Sequence, residues 1–583
     1  MPRTHRVVDH IVEYLAEMGV DHIFGVDGAN IEDLYDAAHF QSSITAVLAK
    51  HEFSAATMAD GYSRSGAGLG VVMATSGGGA LNLVAGLGES LASRVPVLAL
   101  VGQPATAMDG RGSFQDTSGR NGALNAEAVF SAVSVWCRRV LTAADIGSAL
   151  PRAIAAARAG GPAVLLLPKD IQQGYVEIGH PGERLPDRRP AGDPKTIARV
   201  LRNAGGPVTI IAGEQVARDD ARVELEALRG VLRARVATVP DAKDAAAATG
   251  FGSPLLGVTG VMGHPTVAET LAASAVCLVV GTRLSVTARA GLEEALASVQ
   301  TVSIGSAPPY LACTHVHTEN LRDSLRMLTA TLSEAMTERR SSNGFHVPCS
   351  APFGEVGGYG DKELTTPPLT APGVRYRDAM AVLDGVLPDG TDIVVDAGNT
   401  GAAAIHYLPA RRGGRFTVAL GMGGMGYSFG AGIGMAFGRA NSGRPDGRTV
   451  VIAGDGAFFM HGTEVHTAVQ YQLPLTFVLF NNNAHAMCVT REQLFYDDLY
   501  SYNRFRASKL GAGLAAMFPG LTSVDVAELD HFADALRAAL DVDGPAVVSV
   551  ECAADEIPPF APFLARTTEK ENQTDVIKST ASA

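Results

Sequence analysis

Two residue types at one spacing could bind a metal. Asp455 stands in the run Val-Val-Ile-Ala-Gly454-Asp455-Gly456, and Asn482 follows 27 residues later inside Asn481-Asn482-Asn483. A carboxylate and an amide oxygen are hard donors that suit Mg2+, a cation that keeps waters and takes further ligands from phosphates. Gly454 and Gly456 would let backbone come close to a diphosphate. The elements between them decide whether the two can meet. Val450 to Ala453 and Leu475 to Phe480 are apolar runs, separated by a helical segment and Pro474. Apolar runs bounded by turn signals read as buried parallel strands. Strand, helix, strand makes a βαβ unit whose strand ends share one sheet edge. Open α/β sheets bind ligands at that edge. A GDG turn alone is common in ordinary βαβ units; the pair at this spacing is far more specific.

The pair resembles the thiamine diphosphate (ThDP) signature, GDG followed about two dozen residues later by NN. The resemblance runs through most of the chain. His-Glu52-Phe-Ser-Ala-Ala-Thr-Met-Ala-Asp-Gly-Tyr62, Thr75-Ser-Gly-Gly-Gly-Ala-Leu-Asn82, Gly112-Ser-Phe114-Gln115-Asp116 and Gly161-Pro-Ala-Val-Leu-Leu-Leu-Pro-Lys-Asp170 are in the order found in acetolactate synthase-like ThDP enzymes. Taken alone, Glu52 reads as a first-turn carboxylate complementing a helix dipole. The resemblance implies instead that it is the catalytic acid that bonds N1′ of the aminopyrimidine. It implies that Phe114 and Gln115 face the reacting carbon, with Gly28 and Asn82 at the pocket edge.

Gly421-Met-Gly423-Gly-Met425-Gly is similar to the family's turn that bends the cofactor. Met425 would be the wedge between its two rings, and the Gly423 carbonyl would accept from the 4′-amino group. Gly398 and Asn399 would help hold the diphosphate, with Gly454, Asp455, Gly456 and Ala457. Mg2+ would take Asp455, Asn482 and the carbonyl of Ala484. Met487 and Cys488 would line the pocket, and His485 and Arg491 are local candidates for acceptor recognition or proton transfer.

Several stretches depart from the family. Asn399-Thr-Gly-Ala-Ala403 replaces a Gln-His-Gln turn, and Ala486-Met487-Cys488 replaces Gly-Met-Val. Gly281-Thr-Arg-Leu-Ser-Val-Thr287 replaces the Arg-Phe-Asp-Asp-like run of flavin-binding members, which argues against bound FAD. No paired histidines occur, which weighs against an aldehyde-releasing decarboxylase.

Length and composition bound the rest. At 583 residues the chain exceeds one core, and 46% hydrophobic with 65 Gly fits an α/β protein. Strand and helix signals alternate throughout, so the expected fold is α/β with three doubly wound parallel-sheet domains. The boundaries read as a pyrimidine-binding domain over 1–180, a central domain over 190–340, a linker over 341–372, a diphosphate-binding domain over 373–565 and a mobile polar tail over 566–583. A net charge of −13 argues against a nucleic-acid surface. Six cysteines without framework spacing, and an N-terminus lacking an apolar signal core, fit the cytoplasm. Val418 to Gly438 carries no charge over 21 residues, but eight of them are glycine, so a membrane helix is not expected. Cys313, His315 and His317 alternate on an expected strand and raise a metal reading that lacks a fourth ligand.

The resemblance implies decarboxylation of a 2-oxo acid, most simply pyruvate, and transfer of the acyl carbanion to an acceptor carbonyl. It implies a homodimer or homotetramer with the site between subunits. Alternatives are a decarboxylase or 2-hydroxyacyl lyase without carboligation, and an inactive structural relative.

Overall fold

The computed structural model describes residues 3–178, 189–246, 255–342, 362–369, 371–439, 442–444, 447–499 and 501–581. Three six-stranded sheets, each wholly parallel, carry the chain. In the first, the strands run in spatial order from Thr45, His22, Gly70, Val97, Pro162 and Trp136. The last sheet orders its strands from Phe416, Asp392, Thr449, Leu475, Ala546 and Thr522. Numbered along the chain, both have the order 2-1-3-4-6-5. The central sheet instead runs from Gly257, Arg235, Val208, Val276, Gln300 and Thr314, the 3-2-1-4-5-6 order of doubly wound folds. A short antiparallel pair, Arg3–Arg6 with Tyr175–Ile178, closes the first domain.

The long strands are buried along their whole length, as parallel strands covered on both faces must be. Several outcomes differ from the sequence reading. The strand Trp136–Arg139 was not anticipated, because its run Trp-Cys-Arg-Arg lacks an apolar face. Helix Leu321–Ser342 runs past the expected domain end, and most of the expected linker over 341–372 lies outside the described residues. The expected mobile tail from Arg566 is helical, within Ala561–Ala581. The uncharged stretch Val418 to Gly438 resolves into a strand, a glycine-rich turn and the 12-residue helix Tyr427–Gly438. Among the described residues no helix is long and apolar enough to cross a membrane. Cys313, His315 and His317 lie on or beside the edge strand Thr314–His317, and no group of three His, Cys, Asp or Glu among the described residues could hold a metal.

A close helix crossing joins the first and last domains. Helix Glu52–Arg64 packs on helix Tyr427–Gly438 with the backbones almost touching. A Cβ on Gly61 would sit 2.0 Å from the Ala431 carbonyl, and one on Gly434 would sit 1.9 Å from the Met58 carbonyl. Only glycine permits this approach. A buried carboxylate pins the seam: Asp60 accepts from Arg64 Nε at 2.6 Å, Tyr427 Oη at 2.5 Å and Ser90 Oγ at 2.7 Å.

The central domain is tied to the last by Lys243 and a histidine pair. Buried Lys243 donates to the carbonyls of Ala404, Ile405 and Leu408, the open end of helix Asn399–Tyr407. His264 and His406 stack with ring centroids 4.3 Å apart. His406 uses both nitrogens: Nδ1 donates to the Met262 carbonyl at 2.9 Å, and Nε2 accepts from Leu364 N at 3.1 Å. His264 Nδ1 accepts from Val258 N at 3.0 Å.

Burial is the main cause that lowers these histidines, His264 to about 3 and His406 to about 4. Their neutral forms are the folded forms, so their stabilisation is present above the unfolded value near 6.5 and is lost as pH falls below it. By pH 5 the loss is on the order of 2 kcal/mol per histidine. The melting temperature is expected to drop between pH 6.5 and 5, and to drop less steeply in His406→Gln. An identical pH profile in that variant would count against the pair.

Candidate active site

The carboxyl edge of the last sheet gathers the Asp455 group. Strand Thr449–Gly454 delivers Gly454 as the cap of helix Asp455–His461. The expected GDG turn is therefore a strand-to-helix junction, with Gly456 and Ala457 inside the helix. The glycine at 456 has a packing reason, since a Cβ there would lie 2.5 Å from His485 Cδ2 and 3.3 Å from Met425 Cε. Strand Leu475–Asn481 is hydrogen-bonded to Thr449–Gly454 and brings Asn482 alongside. The Asp455 carboxylate accepts from Ala484 N at 3.0 Å.

Asp455 and Asn482 are 1% and 9% exposed. Asp455 Oδ1 and Asn482 Oδ1 are both buried without a hydrogen-bond partner. Buried polar atoms are normally satisfied, so two orphaned oxygens on one sheet edge call for a ligand. Burial pushes the Asp455 carboxyl up to about 6, and four backbone N–H groups pull it partly back. A divalent cation would supply what this carboxylate lacks.

A second helix begins beside it. Gly398, at φ +99°, caps helix Asn399–Tyr407 after the strand Asp392–Val395, which neighbours Thr449–Gly454. Open space lies where a Gly398 side chain would point. Two helix N-termini on adjacent strands make an anion cradle. Asn399 Nδ2 bonds Thr490 Oγ1 and the Glu556 carbonyl, both at 3.3 Å, and its Oδ1 is a third buried orphan. Asp396 ties this turn to the next one, accepting from Gly426 N at 3.0 Å and Ser428 N at 2.9 Å. Gly423 lies between them at φ +66° with an open side-chain position. The residues thus fit a magnesium-bound diphosphate with an aromatic body over Met425.

Glu52 belongs to a separate cluster, at the carboxyl edge of the first sheet. It opens its helix, is 9% exposed, and accepts from Asn82 Nδ2 at 3.0 Å. A Cβ on Gly79 would lie 2.8 Å from Glu52 Oε1, and one on Gly28 would lie 2.8 Å from Thr75 Cβ. Gln115 sits at φ +59°, with Oε1 3.2 Å from Ser76 Oγ. Gly28, Thr75, Ser76, Asn82, Gln115 and Glu52 therefore share one wall. Phe114 stands beside it, 76% exposed.

Met487 is half-buried and Cys488 exposed, in the first turn of helix Ala486–Phe495. His485 caps that helix and packs edge-on against Phe505, whereas Arg491 points to solvent. Two residues here escaped the sequence reading. Tyr376 comes from a segment without a motif. His461 stacks on Phe53 at 4.4 Å, beside Glu52, and only its place at the end of the Asp455 helix hinted at it.

Comparison with known proteins agrees with this geometry. Residues 5–122, 195–330 and 396–550 match the N-terminal TPP-binding, central and C-terminal TPP-binding domain families of thiamine pyrophosphate enzymes. The chain is 26% identical to a probable acetolactate synthase large subunit of Methanocaldococcus jannaschii, over 96% of this chain and 94% of that protein. It is also 26% identical to the acetolactate synthase isozyme 2 large subunit of Escherichia coli, over 93% and 94% respectively. The benzoylformate decarboxylase of Polynucleobacter necessarius shares the fold, with a TM-score of 0.78 at 19% identity, covering 95% of this chain and all of that one.

Asp455→Asn keeps an acceptor for Ala484 N and removes a buried charge. The metal-free variant is expected to melt no lower than the parent, while losing about 10²-fold or more in Mg2+ affinity measured with the diphosphate cofactor present. A variant that binds Mg2+ like the parent would remove Asp455 from the cation site.

Proposed function

We propose that this chain, which belongs to the thiamine pyrophosphate enzymes and within them to the acetolactate synthase-like group, decarboxylates a 2-oxo acid, pyruvate first among them, and joins the acyl carbanion to an acceptor carbonyl. The observation that carries the reading is the pair of orphaned oxygens on Asp455 and Asn482 at the mouth of two helix N-termini. Near full-length similarity to acetolactate synthase large subunits supports carboligation.

When bound, ThDP supplies a nucleophilic carbon and an electron sink for the electrons that carbon dioxide leaves behind. The protein's part is binding, orientation and proton placement. Asp455, Asn482 and the Ala484 carbonyl would hold Mg2+, and the N–H groups opening helices Asn399–Tyr407 and Asp455–His461 would hold the diphosphate. Gly454, Gly456 and Ala457 keep that approach free of side chains larger than methyl. Met425 would support the cofactor's bend, with the Gly423 carbonyl accepting a hydrogen bond from the 4′-amino group. Glu52, steadied by Asn82, would hold a proton at N1′ of the aminopyrimidine. Gln115 and Phe114 would face the substrate, and Met487 would bound the pocket. Phe114 and Met487 would supply the apolar side of the pocket and limit the access of water to the reacting group.

Glu52 and Asp455 lie on different domains. Phe114, on the loop beside Glu52, and Phe459 and Met460, on the helix that Asp455 opens, are exposed in the single chain. Exposed apolar side chains next to both clusters support a subunit interface there. A homodimer or homotetramer would then set Glu52 of one subunit against the Asp455 site of another.

The test is carbon dioxide release from pyruvate with ThDP and Mg2+, with products read by mass. Acetolactate, or release that needs a second carbonyl compound, supports carboligation. Free aldehyde without acceptor dependence makes the protein a lyase instead. No turnover with bound ThDP rules out pyruvate as donor. Glu52→Gln is expected to lower turnover by about 10²-fold or more while retaining the fold and ThDP binding.

A further inference from the structure

Tyr376 is 1% exposed and lies 106 residues from Asn482 in sequence. Its side chain does not belong to any motif, yet it stands at the centre of the cation site's support. Asn482 Nδ2 donates to Tyr376 Oη at 3.1 Å. The backbone N–H of Tyr376 donates to the Glu556 carboxylate at 3.1 and 3.2 Å. Glu556 in turn offers its carbonyl to Asn399 Nδ2 at 3.3 Å. One residue therefore links the amide beside Asp455, the helix opening at Asn399 and the segment carrying Glu556.

A primary amide has a donor end and an acceptor end that point in opposite directions. With Nδ2 held on the phenol, Asn482 Oδ1 is turned away from Tyr376, and it is this oxygen that is buried without a partner. Free to rotate, the amide would present Nδ2 to a cation half of the time, and an N–H end repels one. Partners behind a metal ligand fix its orientation in this way.

We propose that Tyr376 is a positioning residue: its phenol locks the Asn482 side chain with Oδ1 facing the cation, and its backbone bond to Glu556 ties that amide to the segment that holds Asn399. The proposal rests on the cofactor reading above and refines it.

The test uses full-length protein saturated with ThDP, with Mn2+ in place of Mg2+ so that free cation is read by electron paramagnetic resonance. Tyr376→Phe removes one oxygen and keeps the ring. It is expected to weaken Mn2+ about 10–100-fold, to raise the KM for Mg2+, and to leave kcat at saturating Mg2+ near the parent value. The comparison is repeated in Asn482→Asp, whose two carboxylate oxygens need no orienting. There Tyr376→Phe is expected to change Mn2+ affinity less than about threefold. An equal loss in both backgrounds would mean that the ring acts through packing and would overturn the proposal. Unchanged Mn2+ affinity in Tyr376→Phe would overturn it as well. Failure of the unsubstituted protein to bind Mn2+ at all would remove the cofactor reading and this inference with it.

Discussion

The close crossing of helices Glu52–Arg64 and Tyr427–Gly438 is the constraint on which the rest depends. Each helix begins at a functional turn, Glu52 on one and the Gly423–Met425 turn leading into the other. Glycines at 61, 430 and 434 bring the backbones within contact, so the two turns are held by main chain against main chain. Such packing has little freedom to yield, because no side chain can rotate away. A larger residue at any of these glycines would separate two domains as well as two helices. Asp60, fully buried with three donors, fixes the same seam electrostatically.

The site itself is assembled from groups that fold poorly on their own account. Asp455, Asn482 and Asn399 each bury an oxygen without a partner, and Asp455 carries a carboxyl raised by burial. These are local costs that packing elsewhere offsets, through sheets buried on both faces and through Lys243 closing a helix end. Preorganisation follows from that arrangement. The oxygens are held where a cation would need them before any cation arrives, so little reorganisation remains for binding.

Two sheets with strand order 2-1-3-4-6-5 flank one with order 3-2-1-4-5-6. The outer pair carry the two candidate clusters at their carboxyl edges, Glu52 on one and Asp455 on the other. The central sheet contributes chiefly through its contacts: Lys243, His264 and the Asp244–Arg415 ion pair all reach the last domain.

Local sequence determined most of the buried strands, the helix start at Glu52, and the pairing of Asp455 with Asn482, because apolar runs and glycine turns act over a few residues and a βαβ unit returns to one edge. It also carried the motif resemblance that pointed to a diphosphate cofactor. Trp136–Arg139 was illegible as a strand, since an edge strand takes its pairing from a neighbour rather than from its own pattern. Only the tertiary structure decided that Gly456 makes room for Met425 and His485, that Gln115 reaches Ser76, and that Tyr376 stands behind Asn482. Those relations join residues tens to hundreds of positions apart. They depend on side-chain directions and on which polar atoms are left unpaired after packing, and neither quantity exists until the chain has folded.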